Sequence, residues 1–249
     1  MKKARMVIWA LILLLILGPL WLWYRGEVRL DQDWRTASRA SAGLAPLAKD
    51  YQPALVQVYG ARAFSWRGAY GIHTWLAYKR RGERQFHTLQ VLGWRARRGQ
   101  PVIEHVQAPP DRLWYEARPT LIGALCGDAA SSAIPTILKA VASYPHKDAY
   151  RVWPGPNSNT FVAHLIRETP GLDVILPATA IGKDYLPGGA WASTRKGVEL
   201  SAKGLAGLSV GPGVRLDISL LTVSFGFSLR GDYIRMPVFG GVGGEGACG

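Results

Sequence analysis

An unbroken run of eighteen apolar or aromatic residues, 7–24, is the feature that most constrains how this 249-residue chain can fold. As a helix, the run would span about 27 Å, close to the hydrocarbon thickness of a bilayer. Lys2, Lys3 and Arg5 stand before it. Residues 18–23 are mostly bulky, whereas a signal-peptidase site needs small residues. The run therefore predicts a retained, single-pass transmembrane helix rather than a cleaved signal.

The cations ahead of this run predict that the N-terminus stays inside the cell, because Lys and Arg favour the cytoplasmic side. The globular part would then lie on the extracytoplasmic, periplasmic side of a bacterial inner membrane, with the bilayer as a partner of residues 7–24. The predicted organisation has five parts: a cytoplasmic stub and transmembrane anchor (1–29), a linker (30–52), an α+β core domain (53–195), a C-terminal β-strand extension (196–239) and a Gly-rich flexible tail (240–249).

The chain carries a formal net charge of +13 and groups many of its cations in two turns, residues 79–84 and 95–98. Solvated basic turns explain these groups without any partner. The sequence shows no recognition helix, zinc finger or aromatic RNA-binding strand, so nucleic acid is not a predicted partner. The charge favours an anionic envelope polymer or an anionic lipid surface instead. The sequence identifies no protein partner.

Two cysteines, Cys126 and Cys248, are too few for a disulfide framework or a cysteine metal site. An oxidising compartment would permit one bridge between them, but the position of Cys248 in the Gly-rich tail favours a free thiol. His105, His146 and His164 lack metal-ligand spacing to a carboxylate or thiol partner. We therefore predict neither a metal nor a cofactor.

The chain after the apolar run mixes strand and helix periodicities, which indicates the α+β class. A basic turn around Gly82 would join two of the strands into a hairpin. Pro135 lies within a helical pattern and must either kink that helix or mark its start. The predicted strands include 55–59, 72–78, 86–94 and 214–220, and the predicted helices are 128–143 and 160–168.

Residues 153–162 combine two prolines and a glycine with three candidate helix caps, Asn157, Ser158 and Asn159. A capped helix start explains this segment without any catalytic function. A nucleophile at a helix N-terminus would also gain from the free N–H groups there, which stabilise an anion. Trp153, next to this loop, would form the wall of a pocket.

Three strings, GIHTWLAYK, WPGPNSNTFVAHLIR and AIGKDYLP, resemble a bacterial family known as domain of unknown function 3750. The similarity runs from about Trp34 through the C-terminal strands and brings no established activity. A more distant resemblance is to circularly permuted papain-like proteins, such as relatives of NlpC-type peptidases and lecithin retinol acyltransferase. These proteins place a His on an early strand, and their nucleophilic Cys opens a later helix in a motif like (Asp/Asn)-Cys-x-x-Phe-Val.

In this sequence the matching string is residues 157–162, and His73 precedes it on a predicted strand. The resemblance implies a permuted papain-like antiparallel sheet with helices, in which Ser158 stands where the family has its Cys. A lone strand His is more often structural than catalytic. A Ser hydroxyl is not measurably ionised near neutral pH and needs a base in the transition state. The site would therefore be a weak hydrolase or acyl transferase, or a degenerate site that binds without turnover.

A third member of the site follows from the pairing of the two hairpin strands, since directly opposed residues share a face. A loop at residues 80–83 places Gln90 opposite His73, and a loop at 79–81 places His87 there instead. The four-residue loop fits slightly better, so Gln90 is the predicted group that orients His73, with His87 second. Two ordinary exposed polar side chains explain the pattern equally well.

The sequence leaves two functions open. The first is a membrane-anchored envelope protein whose serine-variant or degenerate site, Ser158 with His73 and Gln90, acts on or binds a peptide, glycan or lipid. The alternative is a non-catalytic structural or docking subunit of an inner-membrane complex. In the first case the residues predicted to contact the ligand are Asn157, Asn159, Trp153 and His87.

Overall fold

The computed structural model describes residues 2–194, 197–211, 215–221, 223–230, 234–236 and 240–242. For residues 3, 4, 7, 8, 10–12, 14, 15, 194, 235, 236 and 240–242 it describes the backbone alone. Most of the predicted Gly-rich tail, including Cys248, therefore lies outside the described residues.

The described chain is α+β and contains two antiparallel sheets. Its helices are α1 Lys2–Tyr24, α2 Gly93–Ala96, α3 Gly127–Ser143 and α4 Ser158–Glu168, with a 3₁₀ turn at Ser65–Ala69. Its strands are β1 Leu55–Arg62, β2 Ile72–Lys79, β3 His87–Val91, β4 Ile103–Gln107, β5 Thr120–Cys126, β6 Trp191–Thr194, β7 Gly197–Ser201, β8 Ala206–Gly211, β9 Arg215–Leu220, β10 Val223–Ser228, β11 Ile234–Met236 and β12 Gly240–Val242.

The first sheet has the strand order β4-β3-β2-β1-β5, and all neighbouring strands are antiparallel. Side chains alternate between the two faces of a strand. On β2, Leu76 and Tyr78 point to the face covered by α3 and α4, where the main apolar core lies. His73 and Trp75 point to the opposite face, on which the ring of Trp114 packs. We call these the helix-covered face and the Trp114 face.

Helix α3 buries one stripe of its surface on the helix-covered face. Its buried residues are Ala130, Ala133, Ile134, Ile137 and Ala140, the spacing expected of a helix with one apolar side. The helix begins at Gly127, so Pro135 lies inside it rather than at its start.

The second sheet is a meander in which β6 to β12 pair in chain order, each strand antiparallel to the next. Short hairpins connect neighbouring strands because antiparallel pairs need no long crossover. This sheet includes the region predicted as a C-terminal β-strand extension (196–239) but is longer at both ends: β6 begins at Trp191, inside the predicted core domain, and β12 lies in the predicted Gly-rich tail.

The last turn of α1 packs on the globular part of the protein, where Leu22 is buried together with Val28 and Ala69. Within the part of the chain that the structure describes, no helix has both the length and the apolar composition required to cross a bilayer. This finding corrects the transmembrane anchor predicted over residues 7–24, and with it the fold-class prediction that included a transmembrane helix. The C-terminal end of α1 contacts the globular part of the protein through Leu22.

Cys126 closes β5 and is disulfide-bonded. The prediction of a free thiol is therefore wrong for Cys126.

Lys79 at the end of β2 is fully buried, although lysine is among the residues least often found inside proteins. Its ammonium donates hydrogen bonds to the carbonyl oxygens of Tyr51 (2.6 Å), Pro53 (3.0 Å) and Arg80 (3.4 Å). Burial lowers the pKa of Lys79. These bonds attach the chain at the end of the predicted linker to the C-terminal end of β2.

Candidate functional site

Helix α4 begins at a complete capping arrangement. Asn157 is the N-cap, and its Oδ1 accepts hydrogen bonds from the backbone N–H groups of Asn159 (2.9 Å) and Thr160 (3.1 Å). In return, Thr160 Oγ1 accepts from the backbone N–H of Asn157 at 3.1 Å. Side chains thus accept hydrogen bonds from free N–H groups at the helix start, which is the general function of a capping box.

The same segment ties α4 to its neighbours. Asn159 donates to the carbonyl oxygens of Ile72 (3.0 Å) and Ile181 (2.7 Å), and its Oδ1 accepts from Thr74 Oγ1 at 2.9 Å. Asn157 also donates to the Ile181 carbonyl at 3.0 Å. Both asparagines are therefore fully engaged in holding the helix start against β2 and the loop that contains Ile181.

Ser158 is the first residue of α4 and is only 3% exposed. Its carbonyl oxygen lies 3.5 Å from Thr74 Oγ1. Among the described residues, no hydrogen-bond partner of Ser158 Oγ is found. In particular, the structure does not bring Ser158 together with His73.

His73 lies at the end of a polar chain on the Trp114 face. Its Nε2 is 3.1 Å from Gln90 Oε1, and the Gln90 amide nitrogen donates a short hydrogen bond to Glu104. Arg112 donates to the same carboxylate at 3.2 Å. A carboxylate can only accept, so the amide orientation of Gln90 is fixed and its oxygen faces His73. His73 must therefore carry its proton on Nε2, which leaves Nδ1 as an acceptor.

The ring of His73 is enclosed by aromatic rings. It stacks on Trp114 with a centroid distance of 3.6 Å and an interplanar angle of 5°, and Trp75 lies next to it at 6.0 Å. His73 is 6% exposed. The pKa of His73 is lowered to about 3, mainly because burial disfavours the charged ring; the hydrogen bond to Gln90 opposes this shift and the charge of Arg112 adds to it. The imidazole is therefore neutral across the physiological pH range.

His73 and Ser158 lie on opposite faces of the sheet. The side chain of Thr74, the neighbour of His73, contacts the start of α4. Because adjacent residues on a strand point in opposite directions, His73 points away from that helix. The structure thus places His73 with Gln90, and Ser158 with Thr74.

The pairing of β2 with β3 explains how Gln90 reaches His73. Leu76 pairs with Leu89, and Tyr78 pairs with His87. Continuing this register sets Gln90 opposite Trp75, so that it contacts His73 diagonally. His87 lies on the other face, where its ring stacks on Tyr78 at 4.9 Å.

Trp153 is 46% exposed, and within the described chain it does not line the groove found beside His73. That groove has a volume of about 300 Å³. We call it the Trp114 groove; its walls are Gly26, Glu27, Val28, Arg29, Gln32, Arg62, Ala63, Phe64, Ser65, Trp114, Glu116, Ala117 and Arg118.

Most charged groups of the Trp114 groove are paired with one another. Arg29 contacts Glu116 at 2.8 Å, and Arg62 contacts Glu27 at 3.0 Å. Arg118 is exposed and, among the described residues, forms no ion pair or hydrogen bond. The groove therefore offers one unpaired cation beside an aromatic wall.

A family model described as "Protein of unknown function (DUF3750)" matches residues 53–185, more than half of the chain. The chain belongs to this family. No curated protein and no solved structure matches it. The matched region contains the five-stranded sheet, α3, α4 and the His73 chain, and it ends before the second sheet begins at Trp191.

Sequence reasoning missed Glu104, Arg112 and the role of Trp114. Glu104 lies on β4, whose residues 103–107 do not alternate between apolar and polar and therefore carry only a weak strand signal. A loop of eleven residues separates β3 from β4, so no tight turn fixed their pairing. Arg112 and Trp114 lie in the connection to β5, where only tertiary packing places them beside His73.

Proposed function

We propose that this protein is a non-catalytic binding protein that takes a carboxylate-bearing ligand in the Trp114 groove. The observation that carries the proposal is Arg118, an exposed cation with no partner among the described residues, in the same groove as Trp114. A free guanidinium provides planar, bidentate hydrogen bonding to a carboxylate.

The other walls of the groove supply what such a ligand needs. Phe64 and Trp114 offer apolar ring surfaces on which a sugar ring or an aliphatic group can pack. Trp114 is held in position by its stacking on His73, and His73 by Gln90. The buried polar chain therefore orients one wall of the groove, which reduces the entropy lost when a ligand binds.

The geometry favours binding over acyl transfer. A serine nucleophile needs a base within hydrogen-bond reach, and Ser158 and His73 point to opposite faces of the sheet. A histidine with a pKa of about 3 would also be a weak base near neutral pH. The papain-like relationship therefore remains a prediction that the arrangement of these residues does not favour.

We place the protein in an oxidising compartment outside the cytoplasm. The support for this is the disulfide at Cys126, since disulfides persist in oxidising compartments and are rare in the cytosol. Acidic envelope glycans and peptides are the carboxylate ligands that such a compartment offers.

Binding is tested with an acidic oligosaccharide, oligogalacturonate, and with its neutral methyl ester. We expect the wild type to bind the acid, and Arg118→Gln to weaken that affinity about tenfold, because a hydrogen bond to a charged group is lost. The matched control is Arg84→Gln, which removes an exposed cation from the turn between β2 and β3. Arg84 is not among the residues that line the Trp114 groove. Isothermal titration calorimetry measures the affinities of the three proteins for the acid and for its ester.

Equal binding of the ester and the acid would contradict the proposal, because the carboxylate would then make no contribution. Equal losses in the Arg118 and Arg84 variants would contradict it as well, since they would show a diffuse charge effect.

A further inference from the structure

The second sheet has the reverse of the usual polarity. In β9, Asp217 and Ser219 are buried while Ile218 and Leu220 are exposed, and β10 repeats the pattern with Ser224 buried and Phe225 exposed. An antiparallel sheet with one solvated face normally turns its apolar residues inward. Here the polar residues face the protein.

Polar contacts hold the inward face against the rest of the protein. Arg167 of α4 donates to Glu199 of β7 at 2.9 Å. Ser219 donates to Asp184 at 2.9 Å, and Lys183 donates to Ser224 at 2.9 Å. These bonds fix which side of the sheet is covered and leave the apolar side outward.

The outward side chains form continuous rows across the strands. Trp191 pairs with Leu200, Leu200 with Leu208, Leu208 with Ile218, and Ile218 with Phe225. A second row lies beside the first and consists of Val198, Val210, Leu216, Phe227 and Ile234. We call this surface the outward apolar face.

The outward apolar face is large enough to form a stable protein interface. Its side chains Trp191, Val198, Leu200, Leu208, Val210, Ile218, Leu220, Phe225, Phe227 and Ile234 are 38–67% exposed. With about 150–250 Å² for a large side chain, they present on the order of 900 Å². Standard interfaces bury about 800 Å² per partner, whereas the largest apolar patch of a monomer is usually about 300–600 Å².

We propose that a second copy of this chain covers the outward apolar face, so that two copies pack sheet on sheet. Among the described outward side chains of β6–β10 none is charged, so self-association would bury no unpaired charge. The two sheets would form a sandwich about 10 Å thick, with the apolar sides inside and the polar sides against each copy's own core domain. A two-fold axis makes such a face self-complementary.

A lipid surface fits this face less well. Peripheral membrane surfaces usually combine apolar groups with Lys or Arg, which contact anionic headgroups. The described outward side chains of β6–β10 offer neither cation. An open sheet in lipid would also leave the backbone groups of its edge strand unsatisfied, whereas a sheet-on-sheet dimer leaves them in water.

The test is analytical ultracentrifugation of the full chain and of single variants. We expect the wild type to be a dimer, and Leu208→Glu or Ile218→Glu to weaken dimerisation by about a hundredfold, because each places a charge in the centre of the buried face. Both side chains are already exposed, so the variants should fold; unchanged circular dichroism checks this.

Two matched controls separate the outward apolar face from other exposed apolar residues. Val152→Glu changes an exposed residue of a loop, and Trp9→Glu changes an exposed residue of α1. Both should dimerise like the wild type. A monomeric wild type would overturn the proposal, and so would a dimer that Leu208→Glu and Ile218→Glu leave intact. A wild type that stays monomeric but floats with anionic vesicles would assign the face to lipid instead.

Discussion

The two faces of the five-stranded sheet are built differently although they share every strand. The helix-covered face is an apolar layer sealed by α3 and α4, with Leu76 at its centre. The Trp114 face carries a buried polar chain, His73 to Gln90 to Glu104, under aromatic rings. One face gains its stability from packing, and the other positions groups beside a groove. The comparison shows that residues adjacent in sequence, such as His73 and Thr74, can belong to separate environments.

The largest expected difference between the faces is in stability. Leu76→Ala should lower the free energy of unfolding by about 2–5 kcal/mol, because the side chain is fully buried and leaves a cavity. Leu121→Ala on the Trp114 face should cost only about 1 kcal/mol, because Leu121 is partly buried. Urea unfolding of the two variants measures both changes. Equal losses of stability in the two variants would show that the two faces do not differ in packing.

The Trp114 face should make the stability depend on pH. The pKa of His73 falls from 6.5 to about 3 on folding, so between these values the unfolded state binds more protons. Its contribution is therefore complete above pH 6.5 and is lost as the pH falls toward 3. The wild type should lose about 2 kcal/mol from this group between pH 7 and pH 5, and His73→Gln should lose that much less. Parallel curves for the two proteins would show that His73 is not buried in neutral form.

The start of α4 gives a further test of the difference between the two faces, because its polar residues hold α4 on the helix-covered face. Asn157→Ala should cost about 0.5–2 kcal/mol, because the cap is lost. Ser158→Ala should change the free energy of unfolding by less than about 0.5 kcal/mol, because Ser158 is not the cap residue. Thermal unfolding of the two variants decides between them. A larger loss of stability for Ser158→Ala than for Asn157→Ala would show that Ser158, and not Asn157, caps the helix.

The smallest expected effect is chemical. A fluorophosphonate probe should not label Ser158, since the described residues place no base beside it. Ser158→Cys should react with a thiol reagent at the rate of an ordinary thiol, because His73 points to the other face and cannot lower its pKa. Labelling of Ser158 that His73→Ala abolishes would break the separation of the faces and restore a catalytic pair.

The sequence predicted three of the five strands of the first sheet, β1 to β3, and the helices α3 and α4, but not β4, β5 or the face to which each side chain points. On β2 almost every side chain is buried, so no alternation of apolar and polar residues marks the side that a helix covers. The papain-like order of His73 and residues 157–162 therefore did not indicate to which face of the sheet His73 and Ser158 point. Gln90 was within reach of prediction because a shift of the register by two residues leaves a side chain on the same face.

The second sheet shows the opposite difficulty. Its alternation is clear in the sequence, as in Leu216, Ile218 and Leu220 against polar neighbours. The default interpretation of such a pattern turns the apolar residues toward the protein. Their outward direction depends on contacts such as that between Arg167 and Glu199, which join residues 32 positions apart and leave no local signal.

The three carbonyl oxygens around Lys79 have a consequence for labelling experiments. Amine-reactive reagents modify lysines that solvent reaches, and Lys79 is fully buried with its ammonium enclosed by main chain. Lys49, only thirty positions earlier, lies exposed in the linker, so we expect it to react with such reagents. The ratio of modification at Lys79 to modification at Lys49, measured by mass spectrometry over time, would therefore report how often this end of the sheet opens to solvent. No probe would have to be introduced into the protein.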